Sequence, residues 1–138
     1  MRLRHSIALA GLLSIASAAS AQDAAKFTIA CKGTEKLRIG NQPERKVSFA
    51  ITLSVDLEKK LFCYSACARE QTYKIADAAA DPILLASVAQ PSQSRQTTFS
   101  RGHMKLTDDQ RTEAGVGAIV RHASASCKPA PFVPPAAP

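Results

Sequence analysis

Segment 46–57, KVSFAITLSVDL, constrains the fold more than any other stretch of the chain. Val47, Phe49, Ile51, Leu53, Val55 and Leu57 are apolar, and the residues between them are small or polar. A β-strand points successive side chains to opposite faces, so this pattern gives one buried face and one solvated face. A helix would scatter Val47, Phe49 and Ile51 around its axis. Eleven residues of strict alternation from Val47 predict a long, half-buried strand.

The same period recurs. Phe27, Ile29 and Cys31 share one face of 26–32, and 72–75 alternates again. Segment 83–88 is an apolar run of strand length, and 116–127 reads as the last strand. The polar stretch 33–45, with Gly40, Asn41 and Pro43, reads as a loop carrying at most a short strand at 36–39. Residues 90–96 read as a second loop. Segments 96–101 and 104–107 form a hairpin candidate, with Gly102 placed for a type II′ turn. Thr107-Asp108-Asp109-Gln110 resembles a capping box with Gly115 as a C-cap, so one helical turn or an exposed loop is expected there. Short strands with regular turn signals and no sustained helical period predict an all-β antiparallel fold, a small barrel or sandwich of six to eight strands. Aromatics are 5% of the chain, so Val, Ile, Leu and Ala are expected to fill the core.

The first 21 residues read as an address. Arg2 and Arg4 precede a small, apolar run from Ile7 to Ala19, and Ala19-Ser20-Ala21 is an A-x-A cleavage signal. The run is short of the ~20 apolar residues a spanning helix needs, so no membrane span is expected after maturation. The expected mature chain begins at Gln22 and is periplasmic or secreted. It keeps sixteen of the eighteen basic residues against eleven acidic ones, a formal +5. That charge permits attraction to anionic envelope components, while its scatter along the chain and the lack of interleaved aromatics exclude a nucleic-acid groove. The mature 117 residues form a single domain, 22–127, followed by an extended Pro-rich tail, 128–138.

Cys31, Cys63, Cys67 and Cys127 all follow the cleavage site. An even count in an exported chain favours two disulfides, with three connectivities open. Cys63–Cys67 and Cys31–Cys127 are favoured, because C-x-x-x-C closes in a tight turn and the other pair ties the first strand to the last. C-x-x-x-C is not the C-x-x-C of a redox motif. A metal site from Cys63, Cys67, His103 and His122 would need residues that the sequence does not bring together.

The catalytic vocabulary is small. Only His103 and His122 survive maturation, and no nucleophile elbow, zinc-protease, P-loop or dinucleotide fingerprint appears, so no catalytic residue, metal or cofactor is assigned. Asp108-Asp109 lacks the spaced oxygen ligands of a calcium loop. Asp56 and Glu58 read as turn formers. Arg101, in phase with Thr97 and Phe99 beside the expected turn, could hold an anion bidentately or pair with a local carboxylate. Arg101 and His103 are therefore the candidate binding residues.

Four stretches in order, FTIACKGTE (27–35), VDLEKKLFCYSAC (55–67), TFSRGHMKL (98–106) and SCKPAPF (126–132), resemble small exported all-β proteins of Gram-negative bacteria. The resemblance spans nearly the whole mature chain. It implies export, a β fold and the placement of the cysteines, and it implies no chemistry. At the hairpin those proteins more often carry Thr-Gly, where this chain has Gly102-His103. The expected function is a non-enzymatic, monomeric binding module for an envelope protein or anionic envelope polymer. The alternative is a small secreted hydrolase using His103 or His122.

Overall fold

The computed structural model describes residues 24–137. The expected leader and the expected mature start at Gln22 lie outside the described residues. Eight strands follow in order: β1 (Lys26–Ile39), β2 (Arg45–Asp56), β3 (Leu61–Tyr64), β4 (Thr72–Lys74), β5 (Ile83–Gln90), β6 (Gln93–Ser100), β7 (Lys105–Ala114) and β8 (Gly117–Ala130). All pairings are antiparallel, in the sheet order β4-β3-β2-β1-β8-β7-β6-β5. Apart from β4 and β5, which form the two edges, each strand pairs with its neighbours in sequence, and β1 meets β8. The sheet curls until Asp77, just past β4, bridges Leu84 in β5, which makes a nearly closed barrel. Among the described residues the only helical element is a single 3-10 turn, Arg69–Gln71.

The expected alternation positions the core. Odd residues of β1, β2, β6 and β8 and even residues of β7 point inward, as the register fixes. At one end Phe27, Ile29, Leu53, Val55, Phe62, Leu85, Phe99 and Leu106 fill the barrel. Eight strands enclose a lumen that side chains can just fill. Phe27, Phe62 and Phe99 are among the core residues, and Ala125 is its one buried alanine, so the core leans on phenylalanine more than composition predicted.

Both favoured disulfides are present. Cys31 and Cys127 stand directly opposite in β1 and β8, with Cα atoms 4.0 Å apart. The Cys127 N–H turns the other way, to the Met104 carbonyl, so this is a non-hydrogen-bonded pair of the β1–β8 ladder. Cys63–Cys67 closes the turn after β3. Its sulfurs are bonded to each other, which removes them from any metal site with His103 and His122.

Several local expectations are corrected. Segment 33–45 is strand through Ile39, with a turn only at 40–44. Gly33 is no breaker here: a Cβ on it would lie 2.0 Å from the Ser124 carbonyl oxygen, so β8 can approach only because the side chain is absent. The loop at 90–96 shrinks to Pro91-Ser92. Residues 107–110 are neither helix nor loop but the middle of β7, where Asp108 points inward. The hairpin at 101–104 forms, but with Met104 rather than Gly102 in the left-handed region, φ 48°, so the turn is not type II′.

The Pro-rich end begins later than expected, since β8 runs to Ala130. Pro129 pairs with Ile29, and its nitrogen points, like that of Cys127, away from β1. On that side β7 has already ended, so no ladder bond is lost. Residues 131–137 then cross the outer face. The Val133 N–H donates to Thr28 Oγ1 (3.0 Å) and the Ala136 N–H to the Cys67 carbonyl (3.3 Å). This strap buries Thr28 and Ser54, which share a 2.6 Å hydrogen bond on the outward face.

The two cross-links should differ in weight. Their sequence separations are 96 and 4. Denaturant unfolding of the Cys31→Ala/Cys127→Ala variant is expected to lose about 4–5 kcal/mol, and that of Cys63→Ala/Cys67→Ala about 2 kcal/mol.

Candidate functional site

Above Cys31 the inward positions change from apolar to charged. One row across the ladder reads Glu35 (β1), Ala123 (β8), Asp108 (β7) and Thr97 (β6), and the next reads Leu37, Arg121, Gln110 and Arg95. Each arginine reaches back one row to a carboxylate on the adjoining strand. Arg95 donates from Nε and Nη2 to the two oxygens of Asp108, at 3.1 and 3.2 Å. Arg121 does the same to Glu35, at 3.2 and 2.6 Å. Ala123, between Glu35 and Asp108, is small enough to leave space between the two pairs.

Asp108 is the hub. It also accepts from Thr97 Oγ1 (2.7 Å) and Gln110 Nε2 (2.6 Å), while Arg95 Nη2 donates to Tyr64 Oη (3.3 Å). Among the described residues no buried side-chain nitrogen or oxygen lacks a partner. The network surrounds a cavity of about 460 Å³, with Phe49 and Ile51 as its apolar wall. The cup is electrically balanced, with two guanidinium groups and two carboxylates. Both forks use Nε and Nη2, which leaves Nη1 of each arginine for an incoming acceptor.

The electrostatics follow from this packing. Burial raises the Tyr64 hydroxyl above the ordinary tyrosine value, against the lowering effect of Arg95. Burial would lower Arg95, but the hydrogen bonds and charge of Asp108 outweigh it and hold the guanidinium above its usual value. The hydrogen bonds from Arg121 to Glu35 raise Arg121 in the same way.

Beside the cup the wall is thin. Tyr64, Phe62 and Tyr73 stack edge-to-face and tilted, with centroids 5.5 to 5.8 Å apart. They line a second cavity of about 410 Å³ between β4 and β5 that shares Tyr64 and Arg95 with the first.

The expected binding residues lie at the other end of the barrel. Arg101 and His103 sit together on the β6–β7 turn. Among the described residues Arg101 pairs with no carboxylate: it donates to the Ala24 carbonyl and lies over the Phe27 ring, 4.9 Å from its centroid. His103 Nδ1 is 3.2 Å from Ser100 Oγ. His122 is on the outer face of β8, exposed, with its Nδ1 bonded to the Asp109 carboxylate. The two histidines therefore do not share a site. Asp56 acts as a turn former, accepting from the Lys59 N–H at 2.9 Å, and Glu58 pairs with Lys26 at 2.5 Å.

Glu35, Arg95, Arg121 and Tyr64 were not singled out from sequence, and Asp108 was weighed only as a helix cap, a loop residue or a calcium ligand. A signal was present: Arg95 is in phase with Phe99, and Asp108 with Leu106, so parity alone places both on the buried face.

Tyr64 gives the network a readout. Its folded pKa is raised, so the native state holds the proton more tightly than the unfolded chain. The associated stability is present below the unfolded value near 10 and declines as pH rises through the folded value. Ultraviolet titration should find one tyrosine ionising above the ordinary range, and Tyr64→Phe should abolish that late step and flatten the loss of stability above pH 10.

No family model matches the chain, and no curated protein or solved structure matches it.

Proposed function

We propose that the protein is a non-enzymatic, exported binding module whose ligand is an envelope protein or an anionic envelope polymer, received at the charged mouth of the barrel. One observation carries this reading: the lumen, packed with phenylalanine and aliphatic side chains at one end, opens at the other into a lined cavity with two arginine forks. A barrel filled only for stability has no need of half-solvated ion pairs, since apolar residues of similar volume serve as well or better. Arginine forks recognise carboxylates and phosphates by shape as well as charge, and the exchange of Glu35 or Asp108 for a ligand oxygen keeps each guanidinium paired. The mild positive charge of the mature chain supports an anionic partner, and the two disulfides are compatible with export.

A second reading, the small hydrolase, is favoured by the Asp109 carboxylate on His122 Nδ1, which would orient the ring as in a general base. His103, on Ser100, is its other candidate.

The test is capture from an envelope extract by the immobilised, oxidised protein. Arg95→Leu/Asp108→Leu and Arg121→Leu/Glu35→Leu remove each pair whole, so no charge is left buried without a partner. The unaltered protein should retain one stoichiometric protein or polymer, and each double variant, folded by circular dichroism, should retain about tenfold less. Capture that is indifferent to both variants, no retained partner, or an esterase or amidase activity lost in His122→Ala or His103→Ala would overturn the proposal.

A further inference from the structure

The cavity beside the cup is a gap in the barrel wall. β4 has three residues and β5 has eight. Backbone bonds join them only at the base, between Asp77 and Leu84 and from the Ala76 N–H to the Leu85 carbonyl. Above Leu85, no described residue bonds to the outer edge of β5. The two-residue turn at Pro91-Ser92 makes Gln90–Gln93 a hydrogen-bonded pair. Alternation then sends the N–H and C=O of Ser87 and Ala89 away from β6 and into the gap. On the facing side, the bond from the Ile75 N–H to the Lys60 carbonyl makes Leu61–Lys74 a non-hydrogen-bonded pair. The backbone of Lys74 therefore faces the same gap.

An exposed strand edge carries donors and acceptors at the spacing of a polypeptide backbone, a pattern that sugars and lipids do not repeat. Over Ala86–Gln90 of β5 there is no charged side chain and no proline to blunt the edge, and the one bulge of β5 lies just below, between Leu84 and Ala86. Behind the edge the interior is apolar and aromatic, from Tyr64, Tyr73, Ile75 and Val88. The lining carries two cations, Lys74 and Arg95, and no carboxylate.

We propose that the β4–β5 gap is a strand-acceptor site, filled by an extended segment of a partner polypeptide that has an apolar or aromatic residue facing in and an acidic residue beside it. The segment pairs with Ser87 and Ala89 along β5 and reaches Lys74 on β4. Its inward side chain enters between Tyr64 and Val88, beside Arg95, and the carboxylate of the next residue, on the outward face, meets Lys74. An extended segment needs only one unpaired edge and the cavity beside it, whereas a folded second copy would have to bring a whole barrel wall into the gap. This inference rests on the binding-module reading and narrows its partner to protein.

The experiment is selection of short random peptides on phage against the oxidised protein, followed by amide exchange of the complex with a selected peptide. Selected sequences should alternate apolar with other residues and carry Asp or Glu. They should slow exchange at Ser87 and Ala89. Methylation of the peptide's backbone nitrogens along one edge should weaken binding about tenfold or more, and so should Ala89→Pro or Ser87→Pro, which remove the facing donor at an edge that tolerates proline. Failure to select any peptide, binding that leaves the Ser87 and Ala89 amides unchanged, or a dimer in the absence of peptide that either proline variant dissociates would overturn the strand-acceptor site. If a polymer is still captured from envelope extract in a cup-dependent way, the binding-module reading stands while this one falls.

Discussion

The meeting of β1 with β8 is the constraint on which the barrel depends. Every other pairing joins strands that are adjacent in sequence, and most of those form through a short turn. Only β1–β8 brings the two ends of the domain together, over nearly its whole length, and so closes a loop with a large entropic cost. Two features make it feasible. Cys31 and Cys127 occupy opposite positions in the ladder, and the disulfide removes much of the closure cost from the unfolded chain. Two residues on, Gly33 lets the Ser124–Ala125 backbone come closer than any side chain would allow. With the sheet so rolled, the alternate residues of the six further strands have an inside to face.

That inside changes character along its axis. Near the β6–β7 turn the lumen is apolar and filled, and Arg101 lies over Phe27. Near Glu35 the same inward positions become charged, paired and half-solvated. The change falls where β1, β2, β7 and β8 continue past the short β3 and β4, so the charged cup has a tall wall on one side and a low one on the other. The gap between β4 and β5 is the other consequence of those short strands. Cup and gap share Tyr64 and Arg95, so a group entering by either route meets the same phenol and guanidinium.

Much of this was legible in the residues, and the exceptions have physical causes. The strict alternation of β2 gave the fold class, because no other element has period two. The cysteine pairing followed from strand order and tight-turn geometry. The depth of burial was less visible: Val47 is on the inward face, yet is 52% exposed because it sits beyond the filled part of the lumen. Gly33 opened the stretch that read as a loop, since a glycine needed for close backbone approach looks the same as one needed for a turn. Asp108 and Gln110 read as a helix cap or loop for a similar reason. Charged residues at alternate positions imitate a solvated face until a partner strand supplies Arg95. The cup could not be assembled without the register, as its four charged residues come from four strands. The gap was invisible as well, because it is made by where strands stop.

Amide hydrogen exchange of the oxidised protein, resolved residue by residue, tests this architecture most directly. The β1 amides of Lys32 and Thr34 and the β8 amides of Ser124 and Ser126, held in the cross-linked ladder, should exchange most slowly. Ser87 and Ala89, in strand conformation but without backbone partners among the described residues, should exchange among the fastest of the strand amides. Rapid exchange along β1 and β8, or protection of Ser87 and Ala89 equal to theirs in the unliganded protein, would contradict a barrel closed at β1–β8 and open at β4–β5.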